Sequence, residues 1–187
     1  NDLLKKYILE LDTADFKKKI SIIEKISEVD TDYSLHALKS ILNGKLFIRK
    51  SDKKILLVDI INRKYNTFYF FTNEEAGIEK KRKLKKIKIN NNIRNKLNNN
   101  ISILQLSRGT DAEKIKAIFE IIKEGNKQTL QIINYRIKKE IKEDILKSLE
   151  IAKNSIIARY GTNSEKIDAI KNLSGKTNID IVNILKK

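Results

Sequence analysis

Cysteine, proline, tryptophan and methionine are all missing from this chain of 187 residues, and histidine occurs once, at His36. Without cysteine there is no disulfide and no thiolate metal site, though every compartment stays open. A single imidazole argues against a histidine-built metal site. No stretch approaches the roughly 18 consecutive apolar residues of a membrane span. A chain that opens on Asn1 with no methionine reads as a processed or excised piece of a longer protein, its targeting segment, if any, removed.

The chemistry of catalysis is equally thin. A catalytic reading needs a nucleophile with its base, a carboxylate pair in a cleft or a set of metal ligands. His36, between the apolar positions Leu35 and Leu38, reads as a partly exposed structural histidine. The carboxylates Asp111, Glu113, Asp144 and Glu165 read as helix caps and surface charges. There is no glycine loop to cradle a phosphate. We therefore expect no enzyme and assign no catalytic, cofactor-binding or metal residue.

Positive charge is abundant. Forty basic residues against 24 acidic ones give a formal net charge of +16, an excess that points to nucleic acid or anionic lipid. Only seven of the forty are arginine (Arg49, Arg63, Arg82, Arg94, Arg108, Arg136 and Arg159). Lysine, asparagine and isoleucine are the amino acids of AT-rich codons, so base composition is a competing origin. The densest basic run, 79–88, carries Lys80, Lys81, Arg82, Lys83, Lys85 and Lys86. It could grip phosphates, face lipid headgroups, or serve as a solvated connector pinned by Leu84 and Ile87.

Apolar spacing predicts a short helix over 2–11, a second from Phe16 (Phe16, Ile20, Ile23, Ile26) and a third through Leu35, Leu38 and Leu42, closed by Gly44. The period then changes to that of strands. Leu46-Phe47-Ile48-Arg49, a turn at 50–53 and Ile55-Leu56-Leu57-Val58 read as a β-hairpin, with a third strand at Thr67-Phe68-Tyr69-Phe70-Phe71. Three short strands need an apolar face to hold together, so the aromatic run reads as core and not as a base-stacking platform. The join at 88–106 reads as a helix, with Ile93, Leu97, Ile101 and Leu104 on one face and the asparagines Asn90, Asn91 and Asn92 as N-caps.

Beyond the join the chain echoes itself. Lys19-Ile20 set on Lys114-Ile115 without a gap matches Ile23 to Ile118, Ile26 to Ile121, Leu35 to Leu130, Leu38 to Ile133 and Leu42 to Ile137. Gly109-Thr110-Asp111-Ala112-Glu113 is echoed by Gly161-Thr162-Asn163-Ser164-Glu165, each predicting a capping box. Helices are expected near 127–139, 141–159, 163–174 and 178–186, burying among others Ile141, Ile167, Ile170, Leu173, Val182 and Leu185. Gly44, Gly109, Gly125, Gly161 and Gly175 fall at predicted helix ends. The expectation is a mainly α protein, a HEAT-like α-solenoid of helix pairs with a small antiparallel β insertion at about 45–72. Within one HEAT-like domain over 1–187, the parts are N-terminal helices (1–44), a three-strand insertion (45–72), a basic connector (73–89) and C-terminal helical repeats (90–187).

Three segments carry a family resemblance. Gly44-Lys45-Leu46-Phe47 with Arg49, the turn Thr72-Asn73-Glu74-Glu75-Ala76-Gly77, and Asn90-Asn91-Asn92-Ile93-Arg94 resemble, in that order, the N-terminal extracytoplasmic region of the permease subunit of bacterial urea ABC transporters, a branched-chain amino acid type permease family. The likeness covers the chain from about Phe16 onward; its lysine and isoleucine content departs from the alanine-rich helices of the family. It implies a non-catalytic domain on the periplasmic side of the inner membrane, part of a membrane-embedded protein, whose partners are the solute-binding protein and the other transporter subunits. It implies no cofactor. The alternative is a basic HEAT-like repeat protein that binds nucleic acid through its phosphate backbone.

Overall fold

The computed structural model describes residues 1–124, 126–127 and 129–174. They form two compact units, Asn1–Leu104 and Gln105–Lys187, and the fold is mixed α/β, with a five-stranded antiparallel sheet in the first unit. The expected mainly α solenoid is thus corrected. The strands are half the architecture of the first unit and not an insertion into a row of helix pairs.

In that unit α1 (Asp2–Glu10), α2 (Phe16–Glu28) and α3 (Asp32–Leu42) precede β1 (Leu46–Arg49), β2 (Ile55–Ile61), β3 (Lys64–Tyr69) and β4 (Glu75–Glu79). A 3-10 turn (Lys81–Lys83), β5 (Leu84–Lys86) and α4 (Asn91–Arg108) follow. The strand order is β4-β3-β2-β1-β5, a meander whose last strand returns to pair with the first. Residues 73–89, expected as a connector, hold two strands. Glu75-Ala76-Gly77-Ile78-Glu79 is poor in β-formers, and β5 is mostly lysine; pairing with β3 and β1 overrides their weak propensity. The third strand, expected at 67–71, runs over Lys64–Tyr69.

Alternating side chains give the sheet two covered faces. One sends Leu46, Ile55, Leu57 and the adjoining Phe70 into the core built by Leu4, Ile8, Ile22, Ile26, Leu38 and Ile41 of the helices. The other encloses a smaller core of Phe47, Leu56, Val58 and Leu84, flanked by Tyr65, Tyr69 and Ala76. The sheet curls to do this: the Arg49 guanidinium at the end of β1 reaches Glu79 at the end of β4, 3.3 Å away, although β2 and β3 lie between those strands in the sheet.

Helix α4 changes allegiance. Ile93, Leu97, Ile101 and Leu104 do share a face, but they pack into the core of the first unit, so α4 is not the first helix of a C-terminal repeat block. The unit boundary falls inside it, after Leu104. A helical stripe states that a face is buried; it does not state against what.

The second unit holds α5 (Asp111–Glu124), α6 (Thr129–Ile137), α7 (Glu143–Tyr160) and α8 (Asn163–Ser174). Helix α7 packs on each of the other three, around Ile118, Ile121, Ile133, Ile145, Leu149 and Ile156. Three expected core positions are not core. Ile141 lies before α7 and is 93% exposed, while Ile167 and Ile170 are 54% and 56% exposed. Helix α8 buries Ala169 and Leu173, four residues apart, which turns the two isoleucines outward. Val182, Leu185, Gly125, Gly175 and the helix expected at 178–186 lie outside the described residues.

The ungapped echo extends to the caps. Asp15 accepts from the Lys18 N–H at 2.7 Å to start α2, and Thr110 accepts from the Glu113 N–H at 3.3 Å to start α5. Thr31 with Ser34 and Asn126 with Thr129 start α3 and α6 with reciprocal bonds of 3.1 to 3.4 Å. Both cap pairs sit in the register that aligned the apolar residues. The second predicted box is also formed: the Thr162 N–H donates to Glu165 at 2.7 Å, and with the threonine hydroxyl it holds that carboxylate below its ordinary pKa. No helix among the described residues is long and apolar enough to cross a membrane.

Candidate binding surfaces

The basic run is assembled into a corner by backbone pairing. The Lys50 N–H, in the β1–β2 turn, donates to the Lys83 carbonyl at 2.9 Å, and Arg49 stands opposite Leu84 in the β1–β5 ladder. Leu84 is buried in the sheet's own core and Ile87 in the helix-facing core. The lysines between and before them are exposed.

Acidic neighbours divide these cations into two groups. Lys83 approaches Glu79 at 3.7 Å; Lys85 and Lys53 share Asp12, at 2.8 and 3.7 Å. Arg49 is gripped by Asp52 at 2.8 Å and Glu79 at 3.3 Å, which raises its pKa above the ordinary value and lowers that of Asp52. Lys50, Lys80, Lys81 and Arg82 have no acidic partner among the described residues and face solvent together. Such a cluster can take a row of phosphates. Lysines on an edge strand, as Lys85 and Lys86 are on β5, also discourage pairing with another chain.

Asp12 was invisible in the sequence as a counter-charge, because nothing local links the end of α1 to β5. Next to it Lys19 is only 6% exposed and donates through Nζ to the Lys88 carbonyl at 2.9 Å. Burial, then the charges of Lys85 and Lys88, lower its pKa, with Asp12 opposing. This is a structural bond that ties α2 to the segment leading into α4.

The aromatic run is core, with one exception. Phe70 is 2% exposed and stacks on His36, the ring centroids 5.2 Å apart, with Phe71 edge-on at 4.9 Å. Burial, then Lys39, lower the pKa of His36, so it packs as a neutral ring. Tyr69 faces the sheet's own core beneath Lys54 and Arg49, at 5.3 and 5.9 Å. Phe68 is the exception and lines an open groove of about 480 Å³ with Asp59, Asn66, Glu75, Ile61 and Ile78. That groove continues the helix-facing side of the sheet, and its lining comes from β2, β3, β4 and the β2–β3 turn. Asp59 in it is paired with Lys45 at 2.7 Å.

The segments behind the family resemblance sit at the joints of the first unit. Gly44 adopts φ 67 between α3 and β1. Asn90 caps α4 by accepting from the Ile93 N–H at 2.9 Å; Asn91, Asn92 and Arg94 are exposed on its first turn. Asn73, at φ 57, makes the turn between β3 and β4. In the second unit Asp111 pairs with Lys142, which lowers the carboxylate and raises the ammonium pKa. Lys114 bonds Glu140 at 3.2 Å, and Arg159 donates to the Ile122 and Lys123 carbonyls at the end of α5, a favoured place for a cation. All are structural fastenings. Among the described residues no group of three or more carboxylate or histidine side chains is placed to hold a metal ion.

Comparison with known proteins returns no match: no family model, no curated protein and no solved structure matches this chain.

Proposed function

We propose that the chain is a non-catalytic extracytoplasmic domain of a urea ABC transporter permease, supporting urea uptake by docking the solute-binding protein or organising the complex. One observation supports this reading. Two of the three segments that resemble the permease family lie at the joints between helices and sheet, where a family would keep its sequence for architectural reasons. Gly44-Lys45-Leu46-Phe47 turns the chain from α3 into β1 through a left-handed glycine, and Asn90 to Arg94 launches α4 through a side-chain cap. The described side chains with shifted pKa values serve caps, ion pairs and packing, which suits a binding role. Pull-down of the cognate solute-binding protein by this chain is the test. Capture is expected; no interaction, together with unchanged transport after deletion of the domain, would overturn the reading.

A second reading is supported by the exposed, unpartnered corner of Lys50, Lys80, Lys81 and Arg82, which suits a nucleic-acid backbone. It expects duplex binding of micromolar or better affinity, with a log–log salt slope of about −3 to −4 for four phosphate contacts. Neutralising the four residues should abolish it. Binding that ignores salt would exclude it.

A further inference from the structure

The hairpin between β2 and β3 outruns the rest of the sheet. On one side β1 pairs with β2 only from Ile55 to Leu57, with one further bond from the Val58 N–H to the Lys45 carbonyl. On the other, β4 pairs with β3 only from Tyr65 onward. Residues 59–64 therefore project as a two-stranded tip, still laddered to each other as far as Ile61 opposite Lys64. The tip has an unusual composition for a free end. Ile60 is 58% exposed and Ile61 60% exposed, on opposite faces because strand side chains alternate. Ile78 of β4, 60% exposed, joins Ile61 on the groove side, and Tyr65 stands across the ladder from Ile60.

The turn itself is Asn62-Arg63, both at positive φ (50° and 62°). A two-residue turn of that kind favours Asn-Gly, so Arg63 keeps a cation at the apex at a conformational cost. Lys64 follows it. Neither has an acidic partner among the described residues; of the two carboxylates that line the groove with Lys64, Asp59 is paired with Lys45 and Glu75 lies on β4, away from the apex.

From this arrangement we propose that the β2–β3 tip docks on an anionic lipid surface. Ile60 and Ile61 enter the boundary between headgroups and acyl chains, while Arg63 and Lys64, whose long side chains can turn back to the headgroup level, pair with the phosphates. Burial of apolar side chains plus attraction of basic ones is the physics of interfacial binding. The apolar residues lie on both faces of one projecting hairpin, a shape a fluid interface accommodates and a rigid partner would have to clasp from two sides. This proposal does not depend on the transporter reading.

Co-sedimentation of the whole chain with vesicles of phosphatidylcholine and phosphatidylglycerol, set against phosphatidylcholine alone, tests it. The chain is expected to sediment with the mixed vesicles and far less with the neutral ones. I60S combined with I61S should lower the partition coefficient at least about tenfold. R63Q combined with K64Q should lower it by about tenfold or more and erase the preference for phosphatidylglycerol. All four side chains are exposed, so the variants should melt like the parent by circular dichroism. The control K80Q/K81Q/R82Q should keep most of the binding. No sedimentation of the parent chain, binding unmoved by I60S/I61S, or binding abolished only by K80Q/K81Q/R82Q would each overturn the proposal.

Discussion

Truncating Leu97 to alanine should loosen the sheet unit. Leu97 is 0% exposed, in the same core as Ile22, Leu38, Leu46 and Ile55. Removing its branched end deletes the transfer free energy of the lost carbons and leaves a cavity that neighbours fill only in part, at a cost of about 3 kcal/mol. Against the roughly 5–15 kcal/mol that holds a domain folded, that is a large fraction. Hydrogen exchange read peptide by peptide is the assay, because it reports each element separately. Amides that open with the sheet unit, such as that of Val58 bonded to the Lys45 carbonyl, should exchange about two orders of magnitude faster, since 1.4 kcal/mol is a factor of ten. The amides of α7 serve as an internal reference. If β2 keeps its protection while α7 loses its own, α4 belongs to a C-terminal helical block and the packing described above is wrong.

The caps should behave alike in both copies of the echo: Asp15→Ala and Thr110→Ala should each cost about 1 kcal/mol by chemical denaturation, and a neutral outcome at both would show the side-chain caps to be idle. Gly44→Ala forces a Cβ into left-handed backbone at φ 67 and should destabilise by about 1 kcal/mol or more; a rise in melting temperature would contradict this. His36 has a folded pKa below its ordinary 6.5, so the unfolded chain binds the proton more tightly. The stability the neutral ring contributes is present above that ordinary value and is lost as pH falls through and below it. His36→Phe, which keeps a ring against Phe70, should flatten this part of the stability–pH curve, and an unchanged slope would assign it to other groups.

Much of the first unit could be read from residue spacing, and the parts that could not share one cause. Helices α1 to α3, the hairpin and the capping pairs are set by local patterns, and the threonine boxes at Thr110 and Thr162 formed as spelled. Strands β4 and β5 exist because of partners far along the chain. Glu75-Ala76-Gly77-Ile78-Glu79 has little β propensity, and the lysines of β5 hide the two apolar residues, Leu84 and Ile87, that fix the segment. Taking these strands for a connector left three strands where there are five, and the remaining helices then looked like a solenoid. The same limit applies to the surfaces. The run at 79–88 was visible as charge, but which lysines are neutralised depends on Asp12 and Glu79, and the projecting tip at Ile60 and Ile61 emerges only from the unequal lengths of the strands around it.

On the proposed reading, the most direct measurement is urea uptake by cells carrying the permease to which this chain would belong, compared with cells whose permease lacks it, at equal levels of the protein in the membrane. A domain that docks the solute-binding protein or organises the complex is expected, once deleted, to leave the permease in the membrane and sharply lower uptake, with loss of co-purification of the solute-binding protein. Uptake and co-purification that match the intact transporter would contradict the central claim.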